Sequence, residues 1–115
     1  MADVAQYYYA TDLRPTMTDN VPSIGSGKED DRVNWQHMTT FVIGLGVSGT
    51  LEYRKDYKSA STGHFSEIRA ATRAWPVWPD PAVNYGDPRN WENPKAIDDF
   101  WHTAVNGRGL FLSGL

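Results

Sequence analysis

The sequence of 115 residues predicts a small α/β fold, in which helices pack on a small sheet and long irregular loops join the elements. One observation is the β-branched, largely apolar run MTTFVI at residues 38–43. It is typical of a parallel-sheet strand buried on both faces, which would place Phe41 and Ile43 in the core. Another is a helical apolar pattern over residues 96–105 that leads into a short apolar run at 110–112. A helix that leads into a strand, with a buried strand earlier in the chain, indicates an α/β crossover.

The last helix carries the clearest start and stop signals. Asn93 is the predicted N-cap and Pro94 the first helical residue. Gly107 predicts the end of the helix. Asp98 and Asp99 are expected on the outer face, near the positive end of the helix dipole. The apolar stripe expected to face the core consists of Ile97, Phe100, Trp101, Ala104 and Val105.

Two further helices and two long loops complete the predicted organisation. A first helix runs from Asp3 to about Asp12, and a second covers residues 64–73. Residues 15–34 and 76–93 show no periodicity and are predicted to be irregular. The whole chain, residues 1–115, is interpreted as a single domain or a domain fragment. One face of the first helix carries Val4, Tyr7 and Tyr8.

The composition excludes several classes of protein and partner. The net charge of −3 argues against nucleic acid, which requires clustered Lys and Arg, and the mixed-sign cluster from Lys28 to Arg32 is expected to be solvated. No apolar run approaches the ~18 residues of a membrane span, so the chain is predicted not to span a membrane. The absence of cysteine excludes disulfides and thiolate metal sites. The first residues do not form a secretory signal, so an exported protein would carry its signal upstream of this sequence.

Gly44, Gly46 and Gly49 form a GxGxxG pattern directly after the first predicted strand. A dinucleotide site requires a helix that begins at the third glycine, because the N–H groups of its first turn hold the pyrophosphate. The residues from Thr50 onward have weak helical periodicity, so a tight turn is the favoured interpretation. A nucleotide-dependent enzyme stays as an alternative, and it predicts that NAD protects the glycine segment.

Other polar residues do not assemble into a recognisable site. Asp56, Ser59 and Ser61 approach a DxSxS metal-binding pattern, but the spacing differs by one residue. The three histidines are scattered and no pair has zinc-ligand spacing; His102 lies on the flank of the last helix and is expected to pack or hydrogen-bond there. We therefore predict no catalytic residue, no metal site and no cofactor in this chain, and no enzymatic activity.

Three tryptophans lie in or beside the proline-rich segment WPVWPDPAVNYGDPRNW, namely Trp75, Trp78 and Trp91. Tryptophans on loops stack on sugar rings or anchor protein contacts. The same side chains can instead fold back and cover a core. Both interpretations stay open, and the three residues are the candidate binding residues of this chain.

Two residue combinations in the chain are distinctive, WQHM…GLGVxGTL and IDDxWHxAVNGRGxF. They belong to four segments that together cover over half of the chain, namely ADVAQYYYATDLRP at 2–15, WQHMTTFVIGLGVSGTL at 35–51, FSEIRAATRAWP at 65–76 and IDDFWHTAVNGRGLFLS at 97–113. In this order the four segments resemble the PilY-type family of type IV pilus assembly and tip-associated adhesin proteins.

The resemblance implies a fold as well as a family. It implies that the chain is the closing part of a von Willebrand A-like region, with strands 38–43 and 110–112 as parallel neighbours and helices 65–73 and 96–105 on the faces. The strand and loop that carry the family's DxSxS motif have no counterpart here, and neither does the family's calcium-binding propeller. Calcium or magnesium is therefore implied only elsewhere in a parent protein.

The resemblance also implies a function and a location. It implies a non-enzymatic segment of a type IV pilus (fimbrial) biogenesis and tip-associated adhesin protein, contributing scaffold and interaction surface for pilus assembly and cell adhesion. Such a protein is exported by a Gram-negative bacterium and is extracellular, at the cell surface, the pilus or the outer membrane. The implied partners are minor pilins, other pilus proteins or a host-cell surface. The alternative is a carbohydrate- or peptide-binding module that uses the tryptophan-rich loop.

Overall fold

The computed structural model describes residues 1–114 and shows an α/β fold with a two-stranded parallel sheet. At one end of the sheet Thr40 N donates to Gly107 O at 3.2 Å, and at the other Gly46 N donates to Gly114 O at 2.7 Å. The predicted α/β class and the parallel pairing of the two strands are confirmed. In chain order the elements are α1 (Ala2–Ala10), β1 (Thr40–Leu45), α2 (His64–Arg69), a 3₁₀ turn (Pro88–Asn90), α3 (Lys95–Asn106) and β2 (Arg108–Gly114).

Helix α3 begins at Lys95, one residue later than the predicted start at Pro94, and it ends at Asn106, directly before Gly107 as predicted. The Asn93 side chain accepts a hydrogen bond from Lys95 N at 3.0 Å, which confirms the N-cap. At the other end Gly107 N still donates to Thr103 O at 3.0 Å. The left-handed residue is Arg108, with φ of 59°, and not the glycine before it. The Arg108 guanidinium donates back to Val105 O at 3.0 Å, so this side chain caps a carbonyl that the end of the helix leaves open.

The chain divides into two compact units: Met1–Val42 with Phe100–Phe111, and Ile43–Asp99 with the chain from Leu112 onward. In the first unit the rings of Trp101 and Phe111 are stacked, with centroids 5.8 Å apart and planes 19° apart. Both side chains are buried, which confirms Trp101 as a core residue. The buried side chains of α1 in this unit are Ala2, Ala5 and Tyr9.

Val4, Tyr7 and Tyr8, which share one face of α1, are exposed. Two alanines on the opposite side allow the helix backbone to approach its neighbours closely, and Tyr9 reaches into the unit from the last turn. There the Tyr9 hydroxyl accepts a hydrogen bond from Arg32 N at 3.0 Å. The large apolar side chains of α1 set its helical pattern in the sequence, but the face that packs in the unit is the one with the two alanines.

The second unit has an aromatic core around α2. Tyr57 and Phe65 are buried and meet edge to face with centroids 4.9 Å apart. The Arg69 guanidinium lies 5.2 Å from the centre of the Phe65 ring and donates to Tyr57 O at 2.9 Å. Trp75 adds a further ring, 6.1 Å from Phe65. Helix α2 ends at Arg69, four residues earlier than predicted, and Ala71 already has φ of 60°.

The prediction that the first strand is buried on both faces is wrong. Phe41 and Ile43 are 69% and 65% exposed, and Leu45 on the same face is 78% exposed. Gly44, on the opposite face, is buried. A strand is buried on both sides only when layers of structure cover both sides. Within residues 1–114 one face of β1 is packed and the other is open.

The outer-face placement of Asp98 and Asp99 is also wrong, because both are buried. Asp98 Oδ2 accepts hydrogen bonds from Thr50 N at 2.9 Å and Thr50 Oγ1 at 2.5 Å, and Oδ1 accepts one from Leu51 N at 3.1 Å. The carboxylate therefore faces the turn that follows β1 instead of water. The apolar residues Ile97, Phe100 and Val105 of the predicted stripe are half-buried.

Helices of the described residues are too short or too polar to cross a bilayer.

Candidate functional site

The candidate site is the segment that carries the three tryptophans, residues 75–93, here called the tryptophan loop. Its first half is organised around Asp80. The Asp80 carboxylate accepts from Ala82 N at 2.9 Å and pairs with Lys95 Nζ at 2.6 Å, while Asp80 N donates to the Tyr85 hydroxyl at 3.0 Å. The hydrogen bond from Lys95, followed by the one from Ala82, lowers the pKa of Asp80, and the same pairing raises the pKa of Lys95.

The second half of the loop is held in a similar way by Asp87. Its side chain caps the 3₁₀ turn by accepting from Arg89 N at 3.0 Å, and it also pairs with the Arg89 guanidinium. This hydrogen bond to the Arg89 side chain lowers the pKa of Asp87 and raises the pKa of Arg89. Asn90 Nδ2 donates to Asn84 O at 2.8 Å and closes the turn. The loop has little regular structure, yet its backbone is fixed by local hydrogen bonds.

Tyr85 brings two of the three tryptophans together. The Trp78 ring meets the Tyr85 ring edge to face at 5.2 Å, and the Trp91 indole N–H donates to Tyr85 O at 3.0 Å. Trp91 is 66% exposed, whereas Trp78 is half-buried. Trp75 is not part of this group, since it packs against Phe65. The structure therefore divides the candidates into a Trp78–Trp91 pair on the loop and a Trp75 that extends the aromatic core.

The geometry of Trp91 suits a surface contact. An indole whose N–H is already bonded offers its ring face instead of a hydrogen-bond donor. An exposed aromatic ring of fixed orientation loses little side-chain entropy when a partner covers it. Sugar rings and apolar protein side chains are among the groups that such a ring binds. The prediction that these tryptophans bind a partner stays a prediction.

The GxGxxG segment does not have the geometry of a phosphate site. Gly46 has φ of 66° and turns the chain at the end of β1. A Cβ built at Gly49 would overlap the Asp98 carboxylate, so the third glycine makes room for an acidic side chain. The next helix after this segment begins only at His64. A carboxylate at this position would repel a pyrophosphate, and the tight-turn interpretation fits the geometry.

Among the remaining sequence candidates, Asp56, Ser59 and His37 have protein partners. Asp56 pairs with Arg54 at 3.0 Å, and its carbonyl accepts from the Ser59 hydroxyl at 3.1 Å. His37 lies within 2.6 Å of both an Asp31 carboxylate oxygen and the Trp35 carbonyl. Among residues 1–114, three or more His, Cys, Asp or Glu side chains do not come together in a group that could hold a metal ion.

Sequence reasoning missed the residues that hold the loop, above all Tyr85 and the Asp80–Lys95 pair. Opposite charges fifteen positions apart carry no periodic signal, and Tyr85 sits in the irregular stretch NYG. The one available signal is Asp87 before Pro88. An Asp immediately before a proline is a common helix or turn start, and it predicts the 3₁₀ turn observed here.

Comparison with known proteins identifies relatives over nearly the whole chain. The type IV pilus biogenesis factor PilY1 of Pseudomonas aeruginosa strain PAK is 34% identical over 125 residues, and that of strain PAO1 is 33% identical over 125 residues. The PilY1 of strain UCBPP-PA14 is 31% identical over 126 residues. In each case the match covers 98% of this chain but 10% of the relative.

Two other comparisons return nothing. No protein-family model matches the chain. No solved structure matches it either, so the resemblance to a von Willebrand A-like domain stays a prediction. The relationship rests on the sequence match to PilY1, which runs through all four segments of the resemblance. The chain is thus a relative of one segment, about a tenth of the length, of the PilY1-type pilus biogenesis factors.

Proposed function

We propose that this chain is a non-enzymatic segment of an exported type IV pilus biogenesis protein, in which it supplies scaffold and an interaction surface. The observation that carries the proposal is the 31–34% identity to PilY1 over 98% of the chain. Because the match spans the tryptophan loop as well as α3 and β2, it includes both core and surface. The location that follows is the cell surface, the pilus or the outer membrane.

The proposed interaction surface is the exposed ring of Trp91 with the loop around it. Trp91 is 66% exposed, and the Asp87–Arg89 turn next to it fixes the backbone. The proposed partners are a minor pilin, another pilus protein or a host-cell surface. In this proposal the core residues maintain the scaffold of the parent protein. The loop contacts the partner and takes part in adhesion.

The test is a chimera in a P. aeruginosa strain that lacks its own PilY1. The segment of PilY1 that matches this chain is replaced by residues 1–115, and surface pili are measured by immunoblot of the sheared pilin fraction. We expect the chimera to restore surface pili, and Trp101→Ala within it to abolish them because the core fails. Absence of surface pili from a chimera present at normal level would contradict the pilus role of this segment.

Adhesion is tested separately with a surface pair of variants. Trp91→Ala is expected to leave the amount of surface pili unchanged and to reduce attachment to host cells. Val77→Ala is the matched control, since Val77 is 60% exposed on the same loop. Equal attachment of the two variants would remove the interaction role of Trp91 without affecting the pilus role.

A second candidate function is a carbohydrate- or peptide-binding module, favoured by the fixed and exposed Trp91 ring. It predicts that neutral glycans or apolar peptides broaden the indole signals of Trp78 and Trp91 in an amide correlation spectrum. Trp75 is an internal control, because it belongs to the Phe65 cluster. Uniform broadening of all three indoles would indicate aggregation and count against this function.

A further inference from the structure

The first unit contains a cavity, open to solvent along one side, that the proposed function does not use. Its volume is about 640 Å³, and it lies between residues 23–35, Tyr9 of α1 and Arg108 of β2. Binding sites for small molecules typically enclose ~300–1,000 Å³. The cavity is therefore large enough for a ligand of one to a few sugar rings or a short peptide.

The wall of this cavity is held in place by hydrogen bonds. Asp30 Oδ2 accepts from Ser26 N at 3.0 Å and from Gly27 N at 2.8 Å, which fixes the turn. Arg32 N donates to the Tyr9 hydroxyl at 3.0 Å and ties the loop to α1. A wall fixed before a ligand arrives loses less entropy on binding.

Three cations line the cavity: Lys28, Arg32 and Arg108. The Lys28 and Arg32 side chains form no ion pair with any residue between 1 and 114. Arg108 uses one nitrogen, Nη1, to cap α3, and within residues 1–114 its Nε and Nη2 donors make no hydrogen bond. The lining includes one carboxylate, Asp30, which the turn already occupies. In a chain of net charge −3 this cavity is locally positive and attracts anions.

Neutral polar groups in the lining distinguish a sugar from a peptide. The Ser26 hydroxyl and the Asn34 amide line the cavity and make no hydrogen bond within the described chain. An amide offers a donor and an acceptor side by side, which matches neighbouring hydroxyls on a sugar ring. Trp35 supplies an apolar wall for the ring carbons.

We propose that this cavity binds a carboxylated saccharide of the uronic acid class. The carboxylate pairs with Arg32 and the free donors of Arg108, because a guanidinium binds a carboxylate with two parallel hydrogen bonds. Lys28 adds a further positive charge at the cavity wall. Asn34 and Ser26 bind the ring hydroxyls. The proposal depends on the cavity alone and requires neither the tryptophan loop nor a role in pili.

The experiment is a titration of the ¹⁵N-labelled chain with trigalacturonic acid, followed by amide correlation spectra and calorimetry. We expect shifts confined to residues 23–35, Tyr9 and Arg108, with half-saturation at or below about 1 mM. Neutral galactotriose is expected to bind at least about tenfold more weakly, because it lacks the carboxylates. Absence of shifts around the cavity at about 10 mM uronate overturns the proposal.

A matched pair of variants separates the site from general charge. Arg32→Gln is expected to weaken uronate binding about tenfold, because it removes a direct partner of the carboxylate. Arg14→Gln removes the same charge from an exposed side chain outside the cavity and is expected to bind as the parent chain does. Equal weakening by both variants means non-specific attraction and overturns the site.

A hexaglutamate peptide decides the ligand class. The proposal expects it to bind at least about tenfold more weakly than trigalacturonic acid, since it has no ring hydroxyls for Asn34 and Ser26. Binding as tight as that of the uronate overturns the saccharide assignment and identifies an acidic peptide site. Asn34→Ala is expected to weaken uronate binding and to leave peptide binding unchanged, and the opposite pattern counts against the proposal.

Discussion

Helix α3 and the tryptophan loop both use aspartates as hydrogen-bond acceptors, yet the two regions hold them in opposite surroundings. Asp98 of α3 is 2% exposed and accepts from two backbone N–H groups and a hydroxyl. Asp80 and Asp87 on the loop pair with cations, of which Arg89 has a side chain that is 88% exposed. A buried donor that loses its partner remains unsatisfied, whereas a surface group regains water. The number of hydrogen bonds is similar, and burial decides what each one contributes to stability.

The largest expected effect in this comparison is in the buried part of α3. Trp101→Ala removes a ring that is 2% exposed and stacked on Phe111, so we expect a loss of about 3–5 kcal/mol in the free energy of unfolding. Denaturant unfolding followed by far-UV circular dichroism measures it. Trp91→Ala on the loop is the control and is expected to stay within about 0.5 kcal/mol. Similar losses for both variants would show that Trp101 does not lie in a core.

The next effect concerns the buried carboxylate itself. Asp98→Ala leaves three donors of Thr50 and Leu51 without their acceptor, and we expect a loss of about 2–3 kcal/mol in unfolding free energy. Asp87→Ala is the matched control and is expected to cost much less, since its partner is exposed. Equal losses of unfolding free energy in the two variants would show that burial does not determine how much each aspartate contributes to stability.

A smaller effect is expected at the glycine that faces the carboxylate. Gly49→Ala introduces a Cβ that overlaps the Asp98 side chain, and we expect a loss of about 1–3 kcal/mol. The double variant Gly49→Ala with Asp98→Ala should lose less free energy of unfolding than the two single variants lose together, because the overlap is gone. Full additivity in this double-mutant cycle would show that the glycine is not required by Asp98.

The smallest effect is a pH dependence of the loop. The pKa of Asp80 is lowered by Lys95, so the pair contributes fully above the ordinary carboxyl value of ~4 and its contribution is lost as pH falls through the folded pKa. The raised pKa of Lys95 keeps the pair intact up to the ordinary lysine value of ~10.4. The Trp78 and Trp91 indole shifts should therefore be constant from pH 5 to 9, within this window of about 4 to 10, and change below about 4. The variant Asp80→Asn should not show this change in the indole shifts. If the change persists in the variant, another carboxylate causes it.

The elements that the sequence predicts well are those with local signals. The start of α3 is readable from Asn93 and Pro94, since a cap and its helix are adjacent in the chain. The burial of Asp98 was not predictable, because its partners lie 47 and 48 positions away. A helical pattern indicates which residues share a face, but only the tertiary partner decides which face is buried. The exposed tyrosines of α1 are a second case of the same ambiguity.

The candidate sites follow the same division. The tryptophans stand out in the sequence by residue type alone, but their separation into two groups depends on Tyr85 and Phe65, which no local pattern links to them. The cluster from Lys28 to Arg32 is mixed in charge and was predicted to be solvated. It borders a cavity only because Tyr9 and Arg108, from distant parts of the chain, complete the wall.

The open face of β1 has a consequence for handling this chain in solution. Its strand, TFVIGL, is uncharged and without proline, and it exposes Phe41, Ile43 and Leu45 in alternation. Short uncharged segments of high β-propensity stack into fibrils when they are exposed. Concentrated samples of the chain are therefore expected to bind thioflavin T over time. A lysine introduced at the central position, Ile43→Lys, should delay this by placing like charges next to one another in every stacked copy.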